Sequence, residues 1–160
     1  MNQNKKSQKG FTLIEILIVI GIIAILATIV IIAINPARQF AQARNTQRSS
    51  NVNAILNAIG QNIADNKGTF TCAAGVIPTT AATMKEGAGA NEYDIRSCLV
   101  ATYLPEIIFD PSTGNNNCDA TCSGSTTYDT QYTVVRDSAS GRITVVAPDA
   151  ELSQTISVTR

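Results

Sequence analysis

The sequence contains no histidine and no tryptophan, and its twelve basic and twelve acidic residues balance. Histidine is the commonest general base and the commonest neutral metal ligand, so its absence weakens the case for catalysis or for a metal site. The balanced charge gives no indication of direct nucleic-acid binding. No nucleophile–base pair, phosphate-binding loop or carboxylate dyad can be singled out. The composition therefore argues against an enzyme.

Charge is also nearly absent from residues 11–34, where Glu15 is the only charged residue. As an α-helix this run would be about 36 Å long, more than the roughly 30 Å hydrocarbon core of a bilayer. Lys5, Lys6 and Lys9 precede it with no acid among them. By the positive-inside rule this predicts a cytoplasmic N-terminal side, with the rest of the chain outside the cytoplasm.

Glu15 requires a physical explanation. A carboxylate at the centre of a membrane helix costs about 2.5–3.5 kcal/mol, and less near the helix end. The next basic residue is Arg38, which lies too far along a helix for its side chain to reach Glu15. We therefore expect a partner from the leader, from another chain, or from a new amine made by cleavage of the chain.

The segment Gly10-Phe11-Thr12-Leu13-Ile14-Glu15 resembles the type III signal of type IV pilins and of the pseudopilins of type II secretion systems. In that family, prepilin peptidase removes a short basic leader that ends in glycine, and the new N-terminal residue is N-methylated. The resemblance implies cleavage between Gly10 and Phe11 and N-methylation of Phe11. It also implies an assembly salt bridge between Glu15 and the Phe11 amine of a neighbouring subunit.

The resemblance divides the chain into a leader at 1–10, a transmembrane and assembly helix at 11–35, and an extracytoplasmic head at 36–160. It implies a structural subunit of a type IV pilus-like filament, which is a homopolymer. The implied partners are prepilin peptidase, a membrane assembly platform, and the lipid bilayer before assembly. The chain would cross the cytoplasmic membrane once and later enter a surface pilus or a periplasmic pseudopilus.

Other functions fit parts of the same pattern. Within the family, the chain could be a type II secretion pseudopilin or a minor pilin. From another class, it could be a single-pass anchor for an extracytoplasmic binding domain, but a plain anchor leaves Glu15 unpaired. An ordinary secretory signal peptide has an apolar region of only about 7–15 residues, shorter than this run.

The remainder predicts an α+β, pilin-like fold, in which one long N-terminal helix packs its amphipathic half on a small antiparallel sheet. Asn35 is a good N-cap and Pro36 suits a first helical position, so a helical stretch should cover 37–64. An apolar stripe on this stretch would face the sheet. The stripe comprises Val52, Ile55, Leu56, Ile59 and Ile63, with Phe40 and Ala41 beginning it.

Shorter elements complete the predicted head. We expect an exposed loop at 68–91, a short helix at 93–104 and a short strand at 104–111. Three strands at 128–136, 142–147 and 152–159 should form an antiparallel meander, because short turns separate them. Arg38, Arg44 and Arg48 are the only charges between Pro36 and Asp65. They are expected to face solvent or lipid headgroups, or to meet acids on neighbouring subunits.

The four cysteines all follow the apolar run, on the side where disulfides persist. Four cysteines allow three pairings. Cys118 and Cys122 enclose only three residues, so a local disulfide is the simplest expectation, and Cys72 would then pair with Cys98. A zinc site is the rival interpretation, but the spacing offers only one close pair and no histidine.

No cofactor is predicted, and calcium is the alternative. Some pseudopilins bind calcium in the loop before the sheet, and the corresponding region here offers Asp110, Asn115, Asn117 and Asp119 as oxygen ligands. The same residue types are ordinary turn formers. Turn formation is therefore the simpler explanation of this cluster.

Overall fold

A computed structural model describes residues 10–87, 89–117 and 127–160 of the chain. The chain divides into two compact units, Met1–Gln39 and Phe40–Arg160. The first unit holds an apolar helix and the start of a second helix. The second unit holds the rest of that helix and a sheet.

Helix α1 covers Leu13–Ile34, and none of its 22 residues is buried. An 18-residue stretch of α1 has a mean hydropathy of 3.4, and the helix is about 33 Å long at 1.5 Å per residue. By length and composition α1 is able to cross a membrane. This agrees with the predicted membrane-length helix.

Asn35 separates α1 from helix α2, which covers Pro36–Asp65. Its backbone is left-handed, with φ 49°, a conformation that asparagine tolerates better than most residues. The Arg38 N–H donates to Asn35 Oδ1 at 3.4 Å and to the Asn35 carbonyl at 3.1 Å. Asn35 thus ends one helix and caps the next, as predicted for the cap, but the long helix is interrupted here rather than continuous.

The predicted apolar stripe of α2 forms one side of the core. Val52, Ile55, Leu56 and Ile59 are buried, and Ile63 packs half-buried against them. The predicted beginning of the stripe is correct at Ala41, which is buried, and wrong at Phe40, whose side chain is 64% exposed.

A mixed sheet of six strands forms the other side of the core. The order is β2-β1-β4-β5-β6, with β3 also paired to β4. Strands β1 and β2 are parallel, and the other pairs are antiparallel. The strands are β1 (Ala82–Lys85), β2 (Glu92–Tyr93), β3 (Asn115–Asn116), β4 (Tyr128–Arg136), β5 (Ile143–Ala147) and β6 (Ile156–Thr159).

Alternation along the strands sends one face of the sheet into the core, because successive side chains of a strand point to opposite faces. In β4 and β5, the residues at every second position are buried. All of these buried residues except Thr130 form one apolar cluster with the α2 stripe. The predicted α+β, pilin-like fold and the antiparallel meander of the last three strands are both confirmed.

The region before the meander differs from prediction. The predicted helix at 93–104 is reduced to α3 (Arg96–Leu99). The expected strand at 104–111 is absent from these described residues, because the Asp110 carboxylate accepts the Ser112 and Thr113 N–H groups and closes a turn.

Two further predictions were wrong about which residues belong to the sheet. The expected loop at 68–91 contains β1, whose Ala82 and Met84 face the core. The last strand starts at Ile156 rather than at 152, since Leu152 and Ser153 have left-handed φ angles of 57° and 55° that interrupt an extended strand.

Candidate functional site

The N-terminal motif forms a closed hydrogen-bonded cap at the start of α1. Thr12 is the N-cap residue, and its hydroxyl oxygen accepts the Glu15 N–H at 3.3 Å. Glu15 Oε2 in turn accepts the Thr12 N–H and the Thr12 hydroxyl, both at 2.8 Å. This is a capping box, in which two otherwise unpaired donors of the first helical turn are satisfied reciprocally.

The cap gives Glu15 a partner that sequence reasoning missed. The expected partners were the leader, another chain or a new amine, yet Thr12 on the same chain already donates twice to the carboxylate. The spacing Thr-x-x-Glu before an apolar run is the known sequence pattern of a capping box. The sequence alone could therefore have predicted the contact between Thr12 and Glu15.

The cap also places the carboxylate close to the predicted cleavage point. Glu15 Oε2 contacts the backbone nitrogen of Thr12, which is the residue directly after Phe11. Gly10 and Phe11 precede the helix and are exposed, Phe11 to 85%. The Gly10–Phe11 bond is therefore accessible, and an acceptor for a cation lies within a few residues of it.

The N-terminal segment also matches a known family pattern. Residues 5–31 match the family model of the prokaryotic N-terminal methylation motif, the signature of type IV pilins and pseudopilins. The predicted resemblance is thereby confirmed for this segment, which is less than a fifth of the chain. Neither the curated proteins nor the solved structures gave a significant match.

The motif is typical of one class of precursor. It supports a type IV pilin-like or pseudopilin precursor, and proteins of this type are structural subunits rather than enzymes. It implies processing by prepilin peptidase and assembly into pilin polymers. Together with the apolar α1 helix, it indicates membrane anchoring before assembly.

A second polar cluster lies inside the head, around the guanidinium of Arg48. Arg48 is 1% exposed and binds Asp110 through two hydrogen bonds, Nε to Oδ2 at 2.6 Å and Nη2 to Oδ1 at 3.1 Å. Its Nη1 donates to Glu151 Oε2 at 2.8 Å and to Asn45 Oδ1 at 3.0 Å. One side chain of α2 therefore holds two distant loops.

Arg44 and Asn45 strengthen the attachment of the second loop. Arg44 donates from Nε to Glu151 Oε2 at 2.7 Å and from Nη2 to Glu151 Oε1 at 2.5 Å. Asn45 Nδ2 donates to the Glu151 carbonyl at 2.8 Å, and Asn45 Oδ1 accepts the Glu151 N–H at 2.9 Å. Because both the backbone and the side chain of Glu151 are bonded to α2, this loop is fixed in position.

The cluster shifts the titration of its members. Burial alone would raise the pKa of Asp110, but the hydrogen bonds from Arg48, Ser112 and Thr113 outweigh burial and hold that pKa well below its usual range. Hydrogen bonds from Arg44 and then Arg48 lower the pKa of Glu151 to about 2. Both carboxylates are therefore charged at neutral pH.

These contacts revise the expectations for the arginines of α2. Arg48 faces neither solvent nor lipid headgroups, because it is buried against acids of its own chain, and Arg44 pairs with one of the same acids. No local pattern signals this cluster, since Arg48 and Asp110 are 62 residues apart.

The structure describes three of the four calcium candidates. The Asp110 carboxylate forms an ion pair with Arg48, and Asn115 lies in β3 opposite Asp129. Asn117 follows β3 and is exposed, whereas Asp119 lies outside the described residues. In the described ranges, no group of three or more His, Cys, Asp or Glu residues could hold a metal ion.

A disulfide joins Cys72 to Cys98, which is one part of the predicted pairing. It ties the segment after α2 to α3. Asn62, buried on α2, adds to this link by donating to the carbonyls of Thr71 at 3.1 Å and Cys98 at 3.3 Å. The other predicted pair, Cys118 and Cys122, lies outside the described residues.

Proposed function

We propose that this chain is the structural subunit of a type IV pilus-like filament. Prepilin peptidase cleaves it after Gly10, Phe11 becomes the N-methylated terminus, and the subunits polymerise through α1. The capping box carries this proposal, because it holds a carboxylate at the first turn of a fully exposed apolar helix, directly after the predicted cleavage point.

In a filament, both the apolar surface of α1 and its carboxylate need a partner from another subunit. Once α1 leaves the bilayer, its exposed apolar surface must be covered, and other copies of α1 are the apolar surfaces available in a homopolymer. A carboxylate inside such a bundle needs a cation. The Phe11 amine of a neighbouring subunit supplies that cation, and it can join the two Thr12 hydrogen bonds that Glu15 already accepts.

The proposed orientation places the leader in the cytoplasm and the head outside. The three lysines of the leader favour the cytoplasmic side. The Cys72–Cys98 disulfide is consistent with a head in an oxidising compartment, where disulfides persist. In this proposal the head has a structural role without catalysis.

The intact mass of the chain tests processing and polymerisation together. It should be measured on filaments sheared from the cell surface and, in parallel, on membranes. The sheared fraction should contain a chain that begins at Phe11 and carries one added methyl group. A processed chain confined to membranes would instead favour a pseudopilin or a minor pilin, and an uncleaved chain confined to membranes would overturn the proposal in favour of a plain anchor.

The variant Glu15→Ala separates assembly from insertion. It removes the carboxylate but leaves α1 long and apolar, so membrane insertion should be unchanged while the yield of sheared filaments falls. Ile32→Ala provides a control substitution in the same helix that alters no charge. An unchanged filament yield from Glu15→Ala would exclude the proposed salt bridge.

A further inference from the structure

Four large apolar side chains are exposed in the described part of the unit Phe40–Arg160: Phe40, Val76, Phe109 and Leu152. Single exposed apolar residues are normal on a protein surface, whereas a group of them marks a contact with another protein or with a membrane. All of them except Val76 lie along the N-terminal half of α2. We call Phe40, Phe109 and Leu152 the apolar patch.

Arg44 connects Phe40 to the loop that carries Leu152. Phe40 and Arg44 are four residues apart on α2, so their side chains lie on the same face of the helix, about 6 Å apart along its axis. Arg44 forms two hydrogen bonds with the Glu151 carboxylate, at 2.5 and 2.7 Å. Leu152 directly follows Glu151 and is 43% exposed. Phe40 and Leu152 therefore lie close to the same ion pair.

Arg48 holds Phe109 further along the same helix. It lies eight residues after Phe40, about 12 Å along the axis of α2. Arg48 binds Asp110, the residue directly after Phe109, and the Phe109 carbonyl accepts a hydrogen bond from Asn51 Nδ2 at 3.1 Å. Phe109 is thus fixed against α2 while its side chain is 39% exposed. The apolar patch therefore extends along about two turns of α2.

The ionic groups beside the patch largely neutralise one another. Arg44 and Arg48 supply two positive charges. Their ion pairs with Glu151 and Asp110 cancel both charges. The half-buried Asp149 adds one acid, two residues before Glu151. The patch therefore lacks the excess of basic residues that attracts anionic lipids or nucleic acids, and it fits a partner that is apolar or zwitterionic.

Leu152 is held in an unusual backbone conformation. Its φ of 57° is left-handed, a region that a bulky residue other than glycine rarely adopts. The backbone of the preceding Glu151 is fixed to α2, because Asn45 accepts its N–H at 2.9 Å and donates to its carbonyl at 2.8 Å. An exposed leucine in a fixed, unusual conformation is a reason to look for a binding role.

The bilayer that α1 is able to cross lies within reach of the patch. Helix α1 ends at Ile34, six residues before Phe40. A fully extended chain spans at most about 3.6 Å per residue, so Phe40 lies within about 22 Å of the end of α1 at any angle of the head. The headgroup layer adds about 5–7 Å beyond the hydrocarbon core. Because α1 keeps the head beside the membrane, the effective concentration of lipid at the patch is high.

We propose that the apolar patch rests on the surface of the bilayer before assembly. Phe40, Phe109 and Leu152 enter the layer of headgroups and upper acyl chains, where aromatic and aliphatic side chains are favoured. This contact requires the first turns of α2 to lie nearly parallel to the membrane surface, since an upright α2 places Arg48 about 21 Å above the end of α1. The interruption of the helix at Asn35 permits such a tilt. The inference rests on membrane anchoring, one part of the proposed function, and does not require polymerisation.

Tryptophan fluorescence tests this contact, because the chain contains no tryptophan of its own. The full chain is incorporated into phosphatidylcholine vesicles after one substitution, Phe40→Trp, Phe109→Trp or Leu152→Trp. Lipids that carry bromine near the glycerol end of the acyl chains should quench each variant several-fold more than Val76→Trp. Val76 is a matched control, because it is 67% exposed and lines a cavity with Gly68, beyond the C-terminal end of α2.

The variants Phe109→Trp and Leu152→Trp decide, because Phe40 lies near the end of α1 in any orientation. If brominated lipid quenches these two variants no more than Val76→Trp, the contact is refuted. Protection of both from aqueous acrylamide without quenching by brominated lipid would also refute it, and would show that a second copy covers the patch. Because Phe109→Trp exchanges one aromatic side chain for another, the test does not depend on how the chain accommodates Leu152→Trp.

The same experiment separates this contact from the filament function. Strong quenching of Phe109→Trp and Leu152→Trp in a chain that yields no sheared filaments would support the membrane contact while the filament function fails. Normal filaments together with quenching no greater than that of Val76→Trp would leave the filament function intact and overturn the membrane contact.

Discussion

Removing the Arg48 guanidinium should destabilise the head strongly. The variant Arg48→Met keeps an unbranched side chain of similar reach but loses the bidentate pair with Asp110 and the bonds to Glu151 and Asn45. Asp110 is 1% exposed, and removing one partner of a buried ion pair typically costs about 3–5 kcal/mol. That loss is a large fraction of the roughly 5–15 kcal/mol by which domains are stable.

Thermal unfolding of the purified full chain in detergent measures this loss. For a unit of this size, 1 kcal/mol corresponds to about 3–5 °C, so the midpoint should fall by roughly 10–20 °C. Arg44→Met is the matched control, because Arg44 is partly exposed and exposed ion pairs contribute little. It should lower the midpoint far less. The double variant Arg48→Met/Asp110→Leu should recover much of the loss, because it leaves no unpaired buried charge.

The response to acid provides a second test of the same pair. In the wild type the pKa of Asp110 is depressed, so its contribution is complete above the unfolded pKa of about 3.9 and is lost as the pH falls through the folded pKa. Glu151, with a pKa of about 2, acts in the same direction. In Arg48→Met the lone buried Asp110 should have a raised pKa, so mild acid should stabilise that variant. A shift of the midpoint by only a few degrees in Arg48→Met at neutral pH, with an unchanged acid response, would refute the reasoning.

Two other predictions concern the core and the disulfide. Ile59→Ala should lower the free energy of unfolding by about 2–5 kcal/mol, because Ile59 is buried between α2 and the sheet. Phe40→Ala, at an exposed position of the same helix, should change this free energy little. Equal losses for the two variants in a denaturant titration would contradict the burial argument. The double variant Cys72→Ser/Cys98→Ser should lower the free energy of unfolding by about 2–4 kcal/mol. The variant and the wild type should be compared under oxidising conditions in the same titration, and a variant as stable as the oxidised wild type would show that the Cys72–Cys98 disulfide adds nothing.

Elements with a regular local pattern were predicted well from the sequence. The stripe of Val52, Ile55, Leu56 and Ile59 fixed the position and the buried face of α2. The alternation of apolar and polar side chains predicted the positions of β4 and β5. In both cases the period of the side chains determines which face enters the core, so a short window of sequence carries the necessary information.

Elements that depend on distant partners were not predicted. Strand β1 alternates buried and half-buried residues over only four positions, which is too short a pattern to single out, and it lies between β4 and β2. The segment around Asp110 forms a turn instead of a strand because its carboxylate binds Arg48 and nearby N–H groups. Such contacts join residues far apart in the chain, and short-range patterns do not record them.

The same distinction explains why the N-terminal motif is recognisable while the head gives no match. The capping box fixes two residue types three positions apart, and the helix after it must be long and apolar at nearly every position. Each requirement concerns residues close together in the chain, so it produces a pattern that can be recognised in a short stretch of sequence. The cluster of Arg48, Asp110 and Glu151 requires only that one cation of α2 reach two loops, and many sequences can place an acid there. Contacts of this kind leave no short-range pattern, whereas the N-terminal segment is defined by one.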